Sequence, residues 1–208
     1  MTRTLVIDSA TDACSVALFE GSGLVAGEWL ALGRGHAERL VPMIAALPDK
    51  GRADRIAVAL GPGSFTGIRV GLAAAKALGV AWHAPLVGYS TLALLAAQAR
   101  IEAGEQELAV VNAGGHGEWF VESFDAEGRS TAPVRSLKPE AAAEAGLPAL
   151  AVGSRAEALI ELRKHGEAMP LSPDARAFAA LPRTALLDDI RPIYGRAPDA
   201  KPAGGGMA

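Results

Sequence analysis

The chain has 208 residues, half of them hydrophobic and 21% charged, the balance of a folded protein with a real core rather than of a disordered one. A net charge of −3 argues against autonomous nucleic-acid binding, which needs a basic face, and a single cysteine excludes an internal disulfide. Met1-Thr2-Arg3 leads directly into a strand-like segment, and the longest apolar run, residues 70–82, is broken by Lys76 and two glycines, so a cytoplasmic protein with no membrane span is expected.

Thr4-Leu5-Val6-Ile7 reads as a strand ending at Asp8. A second strand is predicted over residues 15–19, a hairpin turn at Gly21-Ser22-Gly23, and a third strand over residues 24–30. Next comes a helix over residues 36–47 with Leu40, Ile44 and Leu47 along one stripe. Arg55-Ile56-Ala57-Val58-Ala59-Leu60 is a buried strand, followed by a glycine-rich turn and a long helix over residues 67–82. A short strand at residues 86–88 and a helix capped by Ser90 complete the first half. The polar break Glu102-Ala103-Gly104-Glu105 marks a lobe boundary, and the order then repeats. Strands are predicted at 108–111, 118–124, 130–136 and 150–152, with helices at 139–145, 155–165 and from Ser172-Pro173-Asp174 to Leu181. The expected organisation is residues 1–103 as an N-terminal lobe, 104–196 as a smaller C-terminal lobe, and 197–208 as a flexible tail. Each lobe opens with three antiparallel strands, which suggests an internal duplication carried by element order alone.

The glycine-rich turn is Gly61-Pro62-Gly63-Ser64-Phe65-Thr66-Gly67-Ile68-Arg69-Val70-Gly71. It lacks the Lys of a phosphate-cradling P-loop, the glycine spacing of a dinucleotide fingerprint, and the Gly-x-Ser-x-Gly of a nucleophile elbow. Its glycines permit a tight turn, and Ser64 or Thr66 can cap the helix it launches. In that helix Gly67, Gly71, Ala75 and Gly79 recur every fourth residue as a smooth stripe. The stripe is read in two ways: a core helix behind a sheet, or a helix with one face on the sheet and its bare track against a second chain. The second predicts that Gly71→Leu folds but no longer pairs.

This turn, with Leu5-Val6-Ile7-Asp8-Ser9-Ala10-Thr11-Asp12 and the later Arg191-Pro192-Ile193-Tyr194-Gly195-Arg196, resembles the bacterial TsaB family, the dimerisation subunit of the complex that makes N6-threonylcarbamoyladenosine in tRNA. The resemblance implies an actin/hexokinase-like (ribonuclease-H-like) α/β fold, two duplicated lobes each with a mixed sheet flanked by helices. It implies a non-catalytic scaffold without a cofactor of its own, pairing with the catalytic TsaD-type paralogue and then with a TsaE-type ATPase. Alone it would form a homodimer, and it would meet tRNA only through the complex. The implied interface residues are Leu40, Ile44, Gly67, Gly71, Ala75 and Gly79, with residues 61–66 (Gly61, Pro62, Gly63, Ser64, Phe65, Thr66) as the signature loop.

Candidates for chemistry are few. Asp8 and Thr11 stand where ATPases of the same superfamily bind nucleotide, so they form a vestigial cofactor-binding pair; the alternative is that they stabilise their own turn. A small ATP-dependent phosphotransferase built on this pair is the rival function, and a peptidase built on Ser64 a weaker one. No base and orienting acid are tied to Ser64, and Cys14 reads as a core filler. His36, His83, His116 and His165 are never three or four apart, so no metal site is expected. The family's second lobe opens with a strand ending in Asp-Ala-Arg; here Asn112 replaces the acid and the Arg is missing.

Overall fold

A computed structural model describes residues 1–195; the predicted tail at 197–208, with Arg196, lies outside them. The first sheet opens with β1 (Arg3–Asp8), β2 (Ala13–Glu20) and β3 (Gly23–Ala31). They pair antiparallel, with Leu5 opposite Leu18 and Asp8 opposite Ser15. α1 (His36–Ala46) leads to β4 (Arg55–Ala59), parallel to β1, and α2 (Phe65–Trp82) crosses over to β5 (Leu86–Tyr89), parallel to β4. β1 and β2 are buried along almost their whole length, because α1 and α2 cover one face and a later 3-10 segment covers the other. Their near-continuous apolar sequence is what burial on both faces demands.

α3 (Thr91–Ala103) starts at Ser90, whose hydroxyl accepts from the Leu92 and Ala93 amides. The helix has almost no polar stripe, and the reason is its position. Leu94 and Ala97 pack into the core of the first sheet, whereas Leu92, Leu95, Ala96 and Ala99 pack into that of the second. A helix wedged between two sheets is apolar all round.

The second sheet contains β6 (Leu108–Ala113), β7 (Trp119–Phe124), β8 (Arg135–Leu137), β9 (Leu150–Val152) and β10 (Glu167–Met169), with α4 (Pro139–Ala143) and α5 (Ala156–Arg163) between them. Leu108 and Val110 face α3, while Ala109 and Val111 face α4 and α5, the period-two alternation of a strand with two buried faces. The chain then returns to the first sheet through a 3-10 helix, Ala175–Ala180, and adds β11 (Leu186–Leu187) antiparallel to β5. The sheets are ordered β11-β5-β4-β1-β2-β3 and β10-β9-β6-β7-β8. Their first five strands thus follow one plan, and the fold is actin/hexokinase-like.

Three local expectations change. The strand expected over 130–136 is confined to Arg135–Leu137, since Pro133 cannot donate to a ladder. The helix expected from Ser172 to Leu181 is the 3-10 helix above. β10 and β11, of three and two residues, carry too little pattern to be predicted.

Candidate functional site

The signature loop joins β4 to α2 and is pressed against the turn that follows β1. The Ser64 amide donates to the Ala10 carbonyl at 2.7 Å and the Ser9 hydroxyl to the Gly67 carbonyl at 2.9 Å. A Cβ on Gly63 would overlap the Ala10 carbonyl oxygen, and one on Gly67 that of Ser9. Gly61 adopts φ +96° and precedes a cis bond to Pro62. Ser64 caps α2, its Oγ accepting from the Gly67 amide at 3.2 Å. The glycines are therefore a requirement of backbone approach, and the Ser64 hydroxyl is engaged in the cap.

Residues 191–195 lie against the same loop. The Ile193 amide donates to the Leu60 carbonyl at 2.8 Å, and the Tyr194 and Phe65 rings stand 5.7 Å apart. The Arg69 guanidinium lies 3.6 Å from the Phe65 ring centre. Thus the described parts of the three sequence stretches that carry the resemblance meet in space, and Phe65 remains 53% exposed at the point of contact.

Asp8 and Thr11 both turn inward on their own backbone. Asp8 Oδ1 accepts from the Ala10 amide at 3.0 Å, and Thr11 Oγ1 from the Ala13 amide at 3.2 Å. Asp8 is 1% exposed and its Oδ2 has no partner. Burial, above all, pushes its pKa up to about 7, and the nearby Asp174 carboxylate adds to the rise. Burial next to Asp8 and Glu28 likewise pushes the Cys14 thiol up to about 12, far from a reactive thiolate.

Between the two sheets lies a cleft of about 390 Å³, lined by Thr11, Asp12, Ser64, Phe65, Asn112 and Ser154 among others. Asp8 is not among the lining residues, and neither is any Lys, Arg or His. Asn112 is buried, and its Oδ1 accepts from the Ser154 amide at 2.9 Å, which ties the end of β6 to the start of α5. A triphosphate in this cleft would meet hydroxyls, an amide and the Asp12 carboxylate, with no cationic side chain among the described lining residues to neutralise it. Among the described residues, no three His, Cys, Asp or Glu side chains are grouped to hold a metal ion, and no helix is long and apolar enough to cross a membrane.

The small-residue stripe requires a correction. Gly67, Gly71, Ala75 and Gly79 face the protein's own sheet, and Leu40 and Ile44 of α1 are core residues as well. A Cβ on Gly71 would stand 2.6 Å from Ser9 Oγ, and one on Gly79 2.5 Å from Leu86 Cδ1. The stripe is bare because α2 lies close on β1, β4 and the segment leading into β5. These six residues are therefore not available to another chain, and Gly71→Leu is a core substitution. What α1 and α2 turn outward is a different set. Val41, Pro42 and Ala45 of α1, with Ala73, Ala77 and Val80 of α2, are exposed, Val41 at 59% and Val80 at 78%. The signal was in the sequence, since 73, 77 and 80 share one helical face, but alanines and a valine flanked by Arg69 and Lys76 look like an ordinary solvated face.

Residues 31–161 match the family model for TsaD, tRNA N6-adenosine threonylcarbamoyltransferase. Over 99 residues the chain is 39% identical to the tRNA threonylcarbamoyladenosine biosynthesis protein TsaB of Escherichia coli K12. The chain belongs to the TsaB family. That match covers 45% of this chain and 42% of the E. coli protein, so the curated relative is matched over less than half its length. A longer match, 34% identical over 214 residues and covering 97% of this chain and 95% of the relative, is to an uncharacterised protein of Mycobacterium tuberculosis H37Rv. Among solved structures, YeaZ from Pseudomonas aeruginosa superposes with a TM-score of 0.80 at 26% identity, over 93% of this chain and 100% of that one.

Proposed function

We propose that this chain is a non-catalytic partner subunit in the synthesis of N6-threonylcarbamoyladenosine in tRNA. It pairs with a TsaD-type catalytic paralogue in the cytoplasm, receives a TsaE-type ATPase on that heterodimer, reaches tRNA only through the complex, and dimerises with itself when alone. The observation that carries this reading is the exposed apolar face of α1 and α2, Val41, Pro42, Ala45, Ala73, Ala77 and Val80, in a member of this family. An apolar patch on two adjacent helices is what a helix-on-helix interface buries. The absence of independent catalysis is supported by the cleft, where Asp8 is sealed off, Asn112 is neutral and no Lys, Arg or His among the described residues lines the wall. In this reading the first sheet with its helices, residues 1–103, is the pairing lobe; the expected second lobe of residues 104–196 is divided, since the 3-10 helix Ala175–Ala180 and β11 rejoin the first sheet.

The test is co-purification of the tagged chain with the TsaD-type protein of the same organism. The wild type should retain the partner, and a Val41→Glu/Val80→Glu double variant, folded by circular dichroism, should lose it. Failure of the wild type to pair, or undisturbed pairing in the variant, overturns the proposal. Micromolar ATP binding abolished by Thr11→Ala would instead favour the phosphotransferase reading.

A further inference from the structure

The segment over residues 172–181 lies as a strap across the face of the first sheet opposite α1 and α2. Its anchor is one buried hydroxyl: Ser15 Oγ accepts from the Ala175 amide at 2.9 Å and donates to the Pro173 carbonyl at 3.5 Å. Trp29 Nε1 donates to the same carbonyl at 3.2 Å. The Phe178 ring packs 6.0 Å from Phe19 and 5.7 Å from Tyr89. At the other end Ser172 and Pro173 form part of the cleft wall, so the strap's position sets the shape of the cleft.

Beside this anchor, directly across the β1–β2 pair from Ser15, sits Asp8. The titratable and charged groups around it are Tyr89 from β5, Asp174 from the strap and Cys14 from β2. The Tyr89 hydroxyl stands close enough to the Asp8 carboxyl to lower its pKa in part, but its hydrogen is directed to the Ile7 carbonyl at 2.9 Å. Asp174 is already paired with Arg176, at 2.6 Å. Cys14 is a neutral thiol, and its other acidic neighbour, Glu28, adds only negative charge. With the strap down, one Asp8 oxygen is therefore buried without a donor, and an ionised carboxylate there is held in the wrong environment.

We propose that Asp8 is a proton-operated latch for this strap: the neutral carboxyl is compatible with the closed strap, and ionisation shifts the population towards a strap-open form in which Ser172 and Pro173 leave the cleft wall. The direction follows from linkage. The closed form holds the Asp8 proton to about pH 7, whereas an exposed carboxyl releases it near its ordinary 3.8. Raising the pH through that window therefore favours opening, by roughly a hundredfold between pH 5 and pH 8.

Native-state hydrogen exchange on the full chain, corrected for intrinsic rates, tests this. The reporters are the Ala175, Ala177 and Leu181 amides, which bond to Ser15, Asp174 and Phe178, and the β6–β7 ladder is the internal reference. The expected result is a roughly hundredfold loss of strap protection from pH 5 to pH 8 relative to the reference. Asp8→Asn should abolish that loss, and Asp174→Asn should leave most of it. Equal protection at both pH values, an undiminished loss in Asp8→Asn, or an equal loss in the reference ladder overturns the latch. Should Asp8→Asn not fold, the carboxyl carbon of Asp8 can be titrated by NMR in the wild type. A midpoint near 7 coinciding with strap loosening supports the latch, and a midpoint near 4 overturns it.

Discussion

The two sheets share a strand order but not a use. β3-β2-β1-β4-β5 and β8-β7-β6-β9-β10 follow one plan, and Asp8 and Asn112 stand at or near the ends of the two corresponding central strands. Asn112 satisfies a neighbouring amide with a neutral oxygen, whereas Asp8 satisfies one amide and leaves its second oxygen buried and unpaired. The turn after β1 is clamped by the signature loop, backbone on backbone; the end of β6 is held by Gly153 and Ser154, and the turn beyond it is open at Gly115. The first sheet carries helices of 11 and 18 residues, the second helices of 5 and 8. The order of strands needs only the alternation of short apolar runs, so it can be repeated with different residues. The signature loop and the long outer helices need particular ones, and among the described residues they occur once.

The sharpest way to break this comparison is at the turns. Gly63→Val should destabilise the protein by more than about 4 kcal/mol or prevent folding, because even its Cβ overlaps backbone that is itself hydrogen-bonded to the next residue. Gly115→Ala, with nothing within 4 Å of the new methyl, should change stability by less than about 0.5 kcal/mol. Chemical denaturation of the pair measures the asymmetry, and equal effects would mean that the first turn is not clamped.

The strand ends come next. The pKa of Asp8 in the folded protein is raised to about 7 from 3.8, so the folded state keeps a proton that the unfolded state has released. Stability from this group is therefore complete below about pH 4 and lost as the pH rises through 7. Asp8→Asn removes the penalty: it should match the wild type near pH 4 and exceed it at pH 8 by at most about 4 kcal/mol. Asn112→Ala should instead cost about 1 kcal/mol with no slope in pH, since only a neutral hydrogen bond to the Ser154 amide is lost.

What the sequence made legible follows the same division. Strands and helices of the first half could be read to within a few residues, because Leu5-Val6-Ile7 and Ile56-Ala57-Val58 are unbroken apolar runs bounded by turn residues. Ser90 and Ser64 announced their helices as caps. The family could be read from the signature loop. The direction of the Gly67–Gly79 stripe could not. Small residues every fourth position mark a close approach, but periodicity does not say whether the approaching backbone belongs to the same chain. The Ser9 carbonyl that fills that space is 58 positions away from Gly67 in sequence. β10 and β11 were missed because a strand of two or three residues is held by its neighbours' ladder rather than by its own pattern.

A smaller effect is expected at the caps. Ser64→Ala removes the hydroxyl that accepts from the Gly67 amide and should cost about 1 kcal/mol, read as a shift in denaturation midpoint. α5 starts at Arg155 with no side-chain cap, so Arg155→Ala should be close to neutral. Equal losses would mean that the Ser64 hydroxyl contributes nothing specific to α2.

The smallest effect on stability should accompany the largest effect on assembly. Val80 on α2 and Leu162 on α5 are both exposed apolar side chains, at 78% and 46%, one on each sheet's outer layer. Replacing either by Glu removes little buried area and should leave stability within about 0.5 kcal/mol. In sedimentation, however, the proposed self-association of the wild type should be lost in Val80→Glu. The substitution places a charge on the helical face shared by Ala73 and Ala77, which a helix-on-helix contact would have to desolvate without a partner. Leu162→Glu should associate as the wild type does, because its neighbours Glu161 and Lys164 already keep that surface solvated. Loss of association in both variants would move the interface off α1 and α2, and loss in neither would remove the outer face of these helices from the assembly altogether.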